Sequence, residues 1–284
     1  MVANFFLDEM GIEYEAMEDE EGREAFLMNY GEAGVMLAAG HEEHLGDYVD
    51  IKIILVVDVP ALDKKTARYL LEMSHDCTFG GFYYDEELGH VGYFYRLLAH
   101  LMDASVLAIV INEVGQIAEA ESEGLAERTG GSSLLGRSSG YPDIDGFIEE
   151  GKSAKKLWKM LEEEIGEELY YDEDEEAYYA EVGSTTMYVH VYEIEEFPVR
   201  IVECYATVTE EVDALPLEAA LLMLRENRLT TLGTFCYEKE WNYVYLSHIV
   251  PGDVVDGDVL NLMMALVGET ADKWDKKIAK LIEG

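Results

Sequence analysis

Apolar residues recur at every second position within residues 49–57 and again within residues 202–210. Val49, Ile51, Ile53 and Leu55 fall on one side of the first run, and Val202, Cys204, Ala206 and Val208 on one side of the second. A period of two sends such residues to a single strand face, so each run predicts a strand with that face buried. The period then lengthens. Ala67, Leu70 and Leu71, and likewise Leu217, Leu221 and Leu224, recur at helical spacing. Asp63 is placed to cap the first of these helices, and Pro216 stands at a first-turn position of the second. They end near Ser74-His75 and Asn227-Arg228.

Hairpins follow: residues 79–85 with 91–97, turning at Leu88-Gly89-His90, and residues 234–238 with 243–250, turning at Trp241-Asn242. A closing helix is expected after Asp103 and after Asp258. In the second, Val259, Met263, Leu266, Thr270, Trp274, Ile278 and Leu281 run down one face. Upstream, amphipathic helices are expected at residues 4–10 and 153–165, and strand patterns then flank acidic turns at residues 18–22 and 172–176.

These patterns are one template used twice. At a constant offset of 153, Gly81-Phe82-Tyr83-Tyr84-Asp85 lies over Thr234-Phe235-Cys236-Tyr237-Glu238, Ala61-Leu62 over Ala214-Leu215, and Val114-Gly115 with Ala118 over Val267-Gly268 with Ala271. Each copy must bury the same apolar set to fold, so the repeat is a statement about structure first. Three segments follow: a diverged copy at residues 1–125, a linker at 126–151 and a second copy at 152–284. The linker contains Gly130, Gly131, Ser132, Ser133, Ser138, Ser139, Gly140 and Pro142, a composition that reads as mobile. The expected fold class is α+β, two tandem domains in the order α-β-β-β-α-β-β-α, each an antiparallel sheet packed by helices on one face.

Charge narrows the partners. With 20 Lys+Arg against 60 Asp+Glu the formal net charge is -40, which repels nucleic acid and anionic membrane surfaces. Basic or apolar protein segments remain as ligands. A halophilic source would also produce acidity, but glutamate outnumbers aspartate and isoleucine and tyrosine are plentiful. Cys77, Cys204 and Cys236 fall opposite Thr230, Ile51 and Tyr83, so the template has no paired cysteine position and they read as core residues in a reducing compartment. The first ten residues lack a basic start and carry Asp8 and Glu9, and no apolar run reaches membrane-spanning length, which points to the cytoplasm.

Motifs for catalysis lack their contexts. Gly136-Arg137-Ser138-Ser139-Gly140 fits G-x-S-x-G, but neither a buried strand before it nor a helix after it is present, so it reads as linker. His41-Glu42-Glu43-His44 has its histidines three apart rather than four and reads as a solvated loop. The acidic runs at residues 172–176 and 253–258 lack the glycine and final glutamate of a calcium loop and read as turns and caps. His190 and His248 sit in strand patterns. No metal, cofactor or catalytic residue is assigned.

Tyr188, Tyr192 and Tyr205 alternate with the buried set and so occupy the other sheet face, where they could grip a client segment or cover the sheet. In the first copy Ile54 and Val56 share that second face, so something must cover it. Docking of the two copies on one another, as a pseudo-dimer within the chain, is the preferred account, with a client site at that face as the other; the tandem chain could also dimerise.

The second copy resembles the YbjN family, whose members share the fold of type III secretion chaperones. The likeness is carried by Leu222-Met223-Leu224-Arg225-Glu226-Asn227, by Gly233-Thr234-Phe235-Cys236-Tyr237-Glu238, by Pro251-Gly252-Asp253, and by Glu269-Thr270-Ala271-Asp272-Lys273-Trp274-Asp275. The first copy departs from it, with Ser74 in place of Asn227 and Glu121 in place of Trp274. The resemblance implies a non-enzymatic, cytoplasmic, commonly dimeric protein that holds an extended client, a chaperone-like adaptor or regulator. The competing class is a hydrolase or metal-dependent enzyme using an unrecognised cleft, and a third is an interaction module in a defence or secretion pathway.

Overall fold

The computed structural model describes residues 2–136, 140–148, 157, 159, 170–172, 177–193 and 199–283. The chain forms two compact units, one of Met1–Thr66 with Phe82–Glu149 and the other of Ala67–Gly81 with Glu150–Gly284. Both are α+β. The chain runs α1 (Val2–Glu9), β1 (Tyr14–Glu18), β2 (Glu24–Tyr30), β3 (Ala33–Glu42), β4 (Gly46–Val57), α2 (Lys64–His75), β5 (Gly81–Asp85), β6 (His90–Leu98), α3 (Ala104–Thr129) and β7 (Ser132–Ser133). It continues through β8 (Tyr170–Asp172), β9 (Ala177–Val182), β10 (Thr185–Glu193), β11 (Arg200–Thr209), α4 (Leu217–Glu226), β12 (Thr234–Glu238), β13 (Tyr243–Pro251) and α5 (Gly257–Glu283). The helix expected at residues 153–165 and the turn at 172–176 lie almost wholly outside the described residues.

One sheet is ordered β1-β2-β3-β4-β6-β5 and the other β8-β9-β10-β11-β13-β12, the same path drawn twice with antiparallel pairing. The repeat extends to irregularities. The β4 and β6 register slips between Ile54 and Val56, and that of β11 and β13 between Thr207 and Thr209, the same place at the offset of 153. Backbone with positive φ follows both strands at Asp58 and Glu211, and recurs in both hairpin turns at Gly89 and Asn242.

Four strands, rather than the three expected, precede the middle helix in each copy. The extra one, β1, is exposed along four of its five residues, so it carries no apolar alternation to betray it. The expected strand faces are buried: Val49, Ile51, Ile53 and Leu55 under α3, and Val202, Cys204, Ala206 and Val208 under α5. Asp63 and Asp103 accept hydrogen bonds from the N–H groups of Thr66 (2.7 Å) and Val106 (2.8 Å), capping α2 and α3. The cap of α5 is Asp256, which accepts from Val259 N–H at 2.9 Å, and not Asp258; Asp256 is the residue at the offset from Asp103.

Asn227, Phe235 and Trp274 meet in the second unit. Asn227, 1 % exposed, accepts from Phe235 N–H at 2.7 Å and donates to the Phe235 carbonyl at 3.2 Å, fastening the end of α4 to β12 as a strand neighbour would. Trp274 lies edge-on to Phe235, with Lys277 Nζ 4.0 Å from its ring centre.

The segment read as a mobile linker is in part built into the first unit. Residues 126–129 are the last turn of α3, and Gly130 terminates it in left-handed backbone. β7 then pairs with Val56 and Val57, and Leu134 N–H, Gly136 N–H and the Gly140 carbonyl bond to Leu55, Glu32 and Gly31. Low apolar content hid this because the ordering rests on backbone hydrogen bonds to an unpaired stretch of β4.

Gly115 of α3 and Gly268 of α5, equivalent at the offset, let each helix approach its sheet. An added Cβ would lie 2.3 Å from the Tyr30 ring at the first and 2.9 Å from Val182 at the second. Glycine to alanine inside a helix ordinarily stabilises by about 1 kcal/mol. Gly115→Ala is expected to reverse that sign and cost about 1–3 kcal/mol by overpacking, seen as a lower urea midpoint at unchanged slope. A stabilised variant would remove close approach as the reason for glycine.

Candidate protein-interaction surface

Alternation along β10 places Met187, Val189 and Val191 in the core and Tyr188, His190 and Tyr192 on the opposite face. Register then aligns the tyrosines. Tyr170 of β8 is opposite Tyr179 of β9, Tyr179 opposite Tyr188 of β10, and Tyr188 opposite Tyr205 of β11. Their ring centres are 5.6, 6.0 and 4.9 Å apart, and the last pair stacks with its planes 12° apart. Directly opposed aromatics contribute about 0.5–1.5 kcal/mol per pair beyond their buried area, and the row forms one aromatic strip across four strands.

At its β11 end the strip opens into a cavity of about 410 Å³ walled by Tyr188, Tyr205, Tyr243 and Trp241, with Glu210 and Glu211 at the mouth. Trp241 is 74 % exposed. Tyr188 and Tyr205 were legible from alternation and lie here. Tyr192 shares the face but stands further along β10, beside His190 with ring centres 5.1 Å apart. Trp241 and Tyr243 were missed because β13 pairs with β11 across the intervening α4 and β12, and local periodicity does not report that pairing; Glu210 and Glu211 were missed because they follow the end of β11 and belong to no alternating face.

The β12–β13 end of this face carries the segment Ala67–Gly81, a part of the second unit. His75 Nδ1 lies 2.5 Å from the Tyr245 hydroxyl, its Nε2 pairs with Glu238, and the Arg68 guanidinium sits 4.7 Å from the Tyr237 ring centre. Ser247 donates to Glu203 at 2.5 Å, and burial holds the Glu203 carboxyl above its ordinary range. Burial also pushes up the Cys204 and Cys236 thiols and the Tyr245 hydroxyl. All three cysteines are buried thiols outside any disulfide.

In the first unit the corresponding face is ionic. Asp50, 1 % exposed, accepts from Arg23 Nη1 at 2.8 Å and from Arg96 Nε at 2.6 Å, and the Arg96 guanidinium lies 4.0 Å from the Tyr48 ring centre. Burial alone would raise Asp19, but hydrogen bonds from the Arg23 side chain and from the Arg23 and Glu21 N–H groups outweigh it and hold the carboxyl below its usual range. Ile54 is half-buried and Val56 fully buried, on either side of the register slip. Val56 is covered within its own unit, where it pairs with Ser133 and a Cβ on Gly131 would meet its Cγ1 at 2.7 Å.

Among the described residues, no group of three or more His, Cys, Asp and Glu side chains is placed to hold a metal ion. His41 is exposed and bonded to Asp47 at 2.8 Å. Arg137, Ser138 and Ser139 of the G-x-S-x-G match lie outside the described residues. No helix among the described residues is long and apolar enough to cross a membrane. No family model matches the chain, and no curated protein matches it.

Proposed function

We propose that this chain acts by binding protein, as a cytoplasmic chaperone-like adaptor of the YbjN and type III secretion chaperone kind, and that the tyrosine face of the second unit receives an extended client segment. The observation that carries the reading is the unbroken row Tyr170, Tyr179, Tyr188 and Tyr205 with its adjoining cavity. Rigid amphipathic rings spread over a sheet offer contact area at low entropic cost and tolerate varied sequence, as a client-holding surface requires. An enzymatic reading draws no support from the cleft around Glu203, since burial shifts Cys236 and Tyr245 away from the activated state a nucleophile needs.

The test is retardation of aggregation of a chemically unfolded, uncharged-tag reporter protein by the full chain. Wild type is expected to slow aggregation at near-stoichiometric ratio, and the double variant Tyr179→Ala, Tyr188→Ala to lose at least fivefold in potency while keeping its circular dichroism. Wild type without effect, or a double variant of full potency, would overturn the assignment to this face.

A further inference from the structure

The cavity at the end of the tyrosine row has a composition that neither holding nor covering a sheet demands: aromatic walls and an acidic mouth. We propose that it is a cation-binding cup, taking an arginine side chain of an extended polypeptide whose flanking residues lie along the row. This rests on the protein-binding reading above and names what that surface selects.

Three observations carry it. The walls are Tyr188, Tyr205, Tyr243 and Trp241, whose π systems attract cations, and the polar lining is Thr207 with the carboxylates Glu210 and Glu211, with no basic residue lining the cavity among the described residues. Second, the fold does not require these groups. At the offset of 153, Tyr205, Trp241, Tyr243, Glu210 and Glu211 correspond to Lys52, Leu88, His90, Val57 and Asp58, so the first copy builds the same sheet without the aromatics. Third, the first copy fills its face with cations of its own. Lys52, 4 % exposed, stands where Tyr205 stands, so a position that gives the second copy an aromatic wall carries a buried cation in the first.

Arginine fits better than lysine because a planar guanidinium stacks on rings while its fork reaches two carboxylates. A free small cation would use only the cup. An extended chain would add the row, and the net charge of -40 steers basic segments toward it.

The experiment uses the full chain and an acetylated, amidated octapeptide alternating arginine with threonine, followed by calorimetry and Trp fluorescence. Its matched probes carry citrulline or glutamate in place of arginine, and arginine amide serves as the free cation. The arginine peptide is expected to bind at least tenfold more tightly than the citrulline peptide and than arginine amide. Trp241→Ala, and separately Glu210→Gln with Glu211→Gln, should each weaken it about tenfold, whereas Glu13→Gln with Glu15→Gln on the first unit should not. Equal binding of the citrulline peptide, or equal losses at the cup and control acids, would reduce the effect to general charge and overturn the proposal. Undiminished binding by Trp241→Ala, folded by circular dichroism, would do the same. Aggregation retardation without arginine discrimination leaves the protein-binding reading standing and removes the cup; arginine discrimination without retardation keeps the cup and removes the client-holding role.

Discussion

Asp50→Ala is expected to cost about 3–5 kcal/mol, the usual consequence of removing one member of a buried ion pair. Asp50 is 1 % exposed and accepts hydrogen bonds from Arg23 and from both Arg96 Nε (2.6 Å) and Nη2 (3.1 Å). Lys52 Nζ stands 4.0 Å from Asp19, which also receives Arg23 at 2.8 Å. Without Asp50, Arg96 loses the hydrogen bonds from its Nε and Nη2, while Arg23 keeps Asp19 and, at 3.4 Å, Glu21. The sign is diagnostic. In a chain of net charge -40, deleting an exposed carboxylate relieves repulsion and is neutral or stabilising, so a large loss marks Asp50 as a partner rather than as one more acid. Replacing Asp50, Arg23 and Arg96 together by apolar residues of similar volume should recover only part of the loss, since a well-packed apolar substitute rivals a buried ionic cluster but Asp19 then loses its Arg23 partner. Urea titration of the single and triple variants checks both. A loss below about 1 kcal/mol for Asp50→Ala would mean that water reaches the cluster and screens it.

How far the sequence disclosed this architecture follows from what each signal encodes. Period two marked the buried faces of β4 and β11, and local capping chemistry marked Asp63 and Asp103, because each depends on neighbours in sequence. On the closing helix Val259, Met263, Trp274 and Ile278 are buried as expected, and only the middle of the stripe is shifted. Val267 and Ala271 are buried where Leu266 and Thr270 were expected, because small residues line the side nearest the sheet while the larger leucine sits half-buried at its margin. Burial of Ala67, Leu70 and Leu71 was legible, but an apolar stripe does not name what covers it, and the segment Ala67–Gly81 is compact with the second unit. The same limit applied to the candidate surface. Alternation put Tyr188 and Tyr205 on one face. The signal that could have extended the row is the nine-residue spacing of Tyr170, Tyr179 and Tyr188, which matches the hairpin register through β8, β9 and β10. Trp241 and Tyr243 join only through the non-sequential pairing of β13 with β11, while the two glutamates follow the end of β11 directly.

Acidification is expected to remove about 3 kcal/mol of stability through His248 alone. His248 is 5 % exposed, opposite the buried Cys204 on the core face of β13, and burial lowers its pKa from the ordinary 6.5 to about 4. The folded chain therefore holds the ring neutral where the unfolded chain would take up a proton. The contribution is whole above pH 6.5, falls as pH drops toward 4, and levels off once the folded ring is protonated as well. Glu203 acts in the opposite sense. Its raised carboxyl contributes fully below the ordinary carboxylate range, and the contribution is lost as pH rises through the elevated value. Acid also relieves the repulsion among 60 Asp and Glu, so the raw pH profile mixes terms of both signs. The difference between wild type and His248→Phe isolates one of them. Phenylalanine suits a place where the first copy buries Tyr95 at the offset of 153, and His248→Gln serves as a polar second choice. Between pH 7.5 and 4.5 the stability difference should move toward the variant by about 2.5 kcal/mol. A difference that stays constant would show that His248 gains its proton within the fold, and that the β13 core face is open to water.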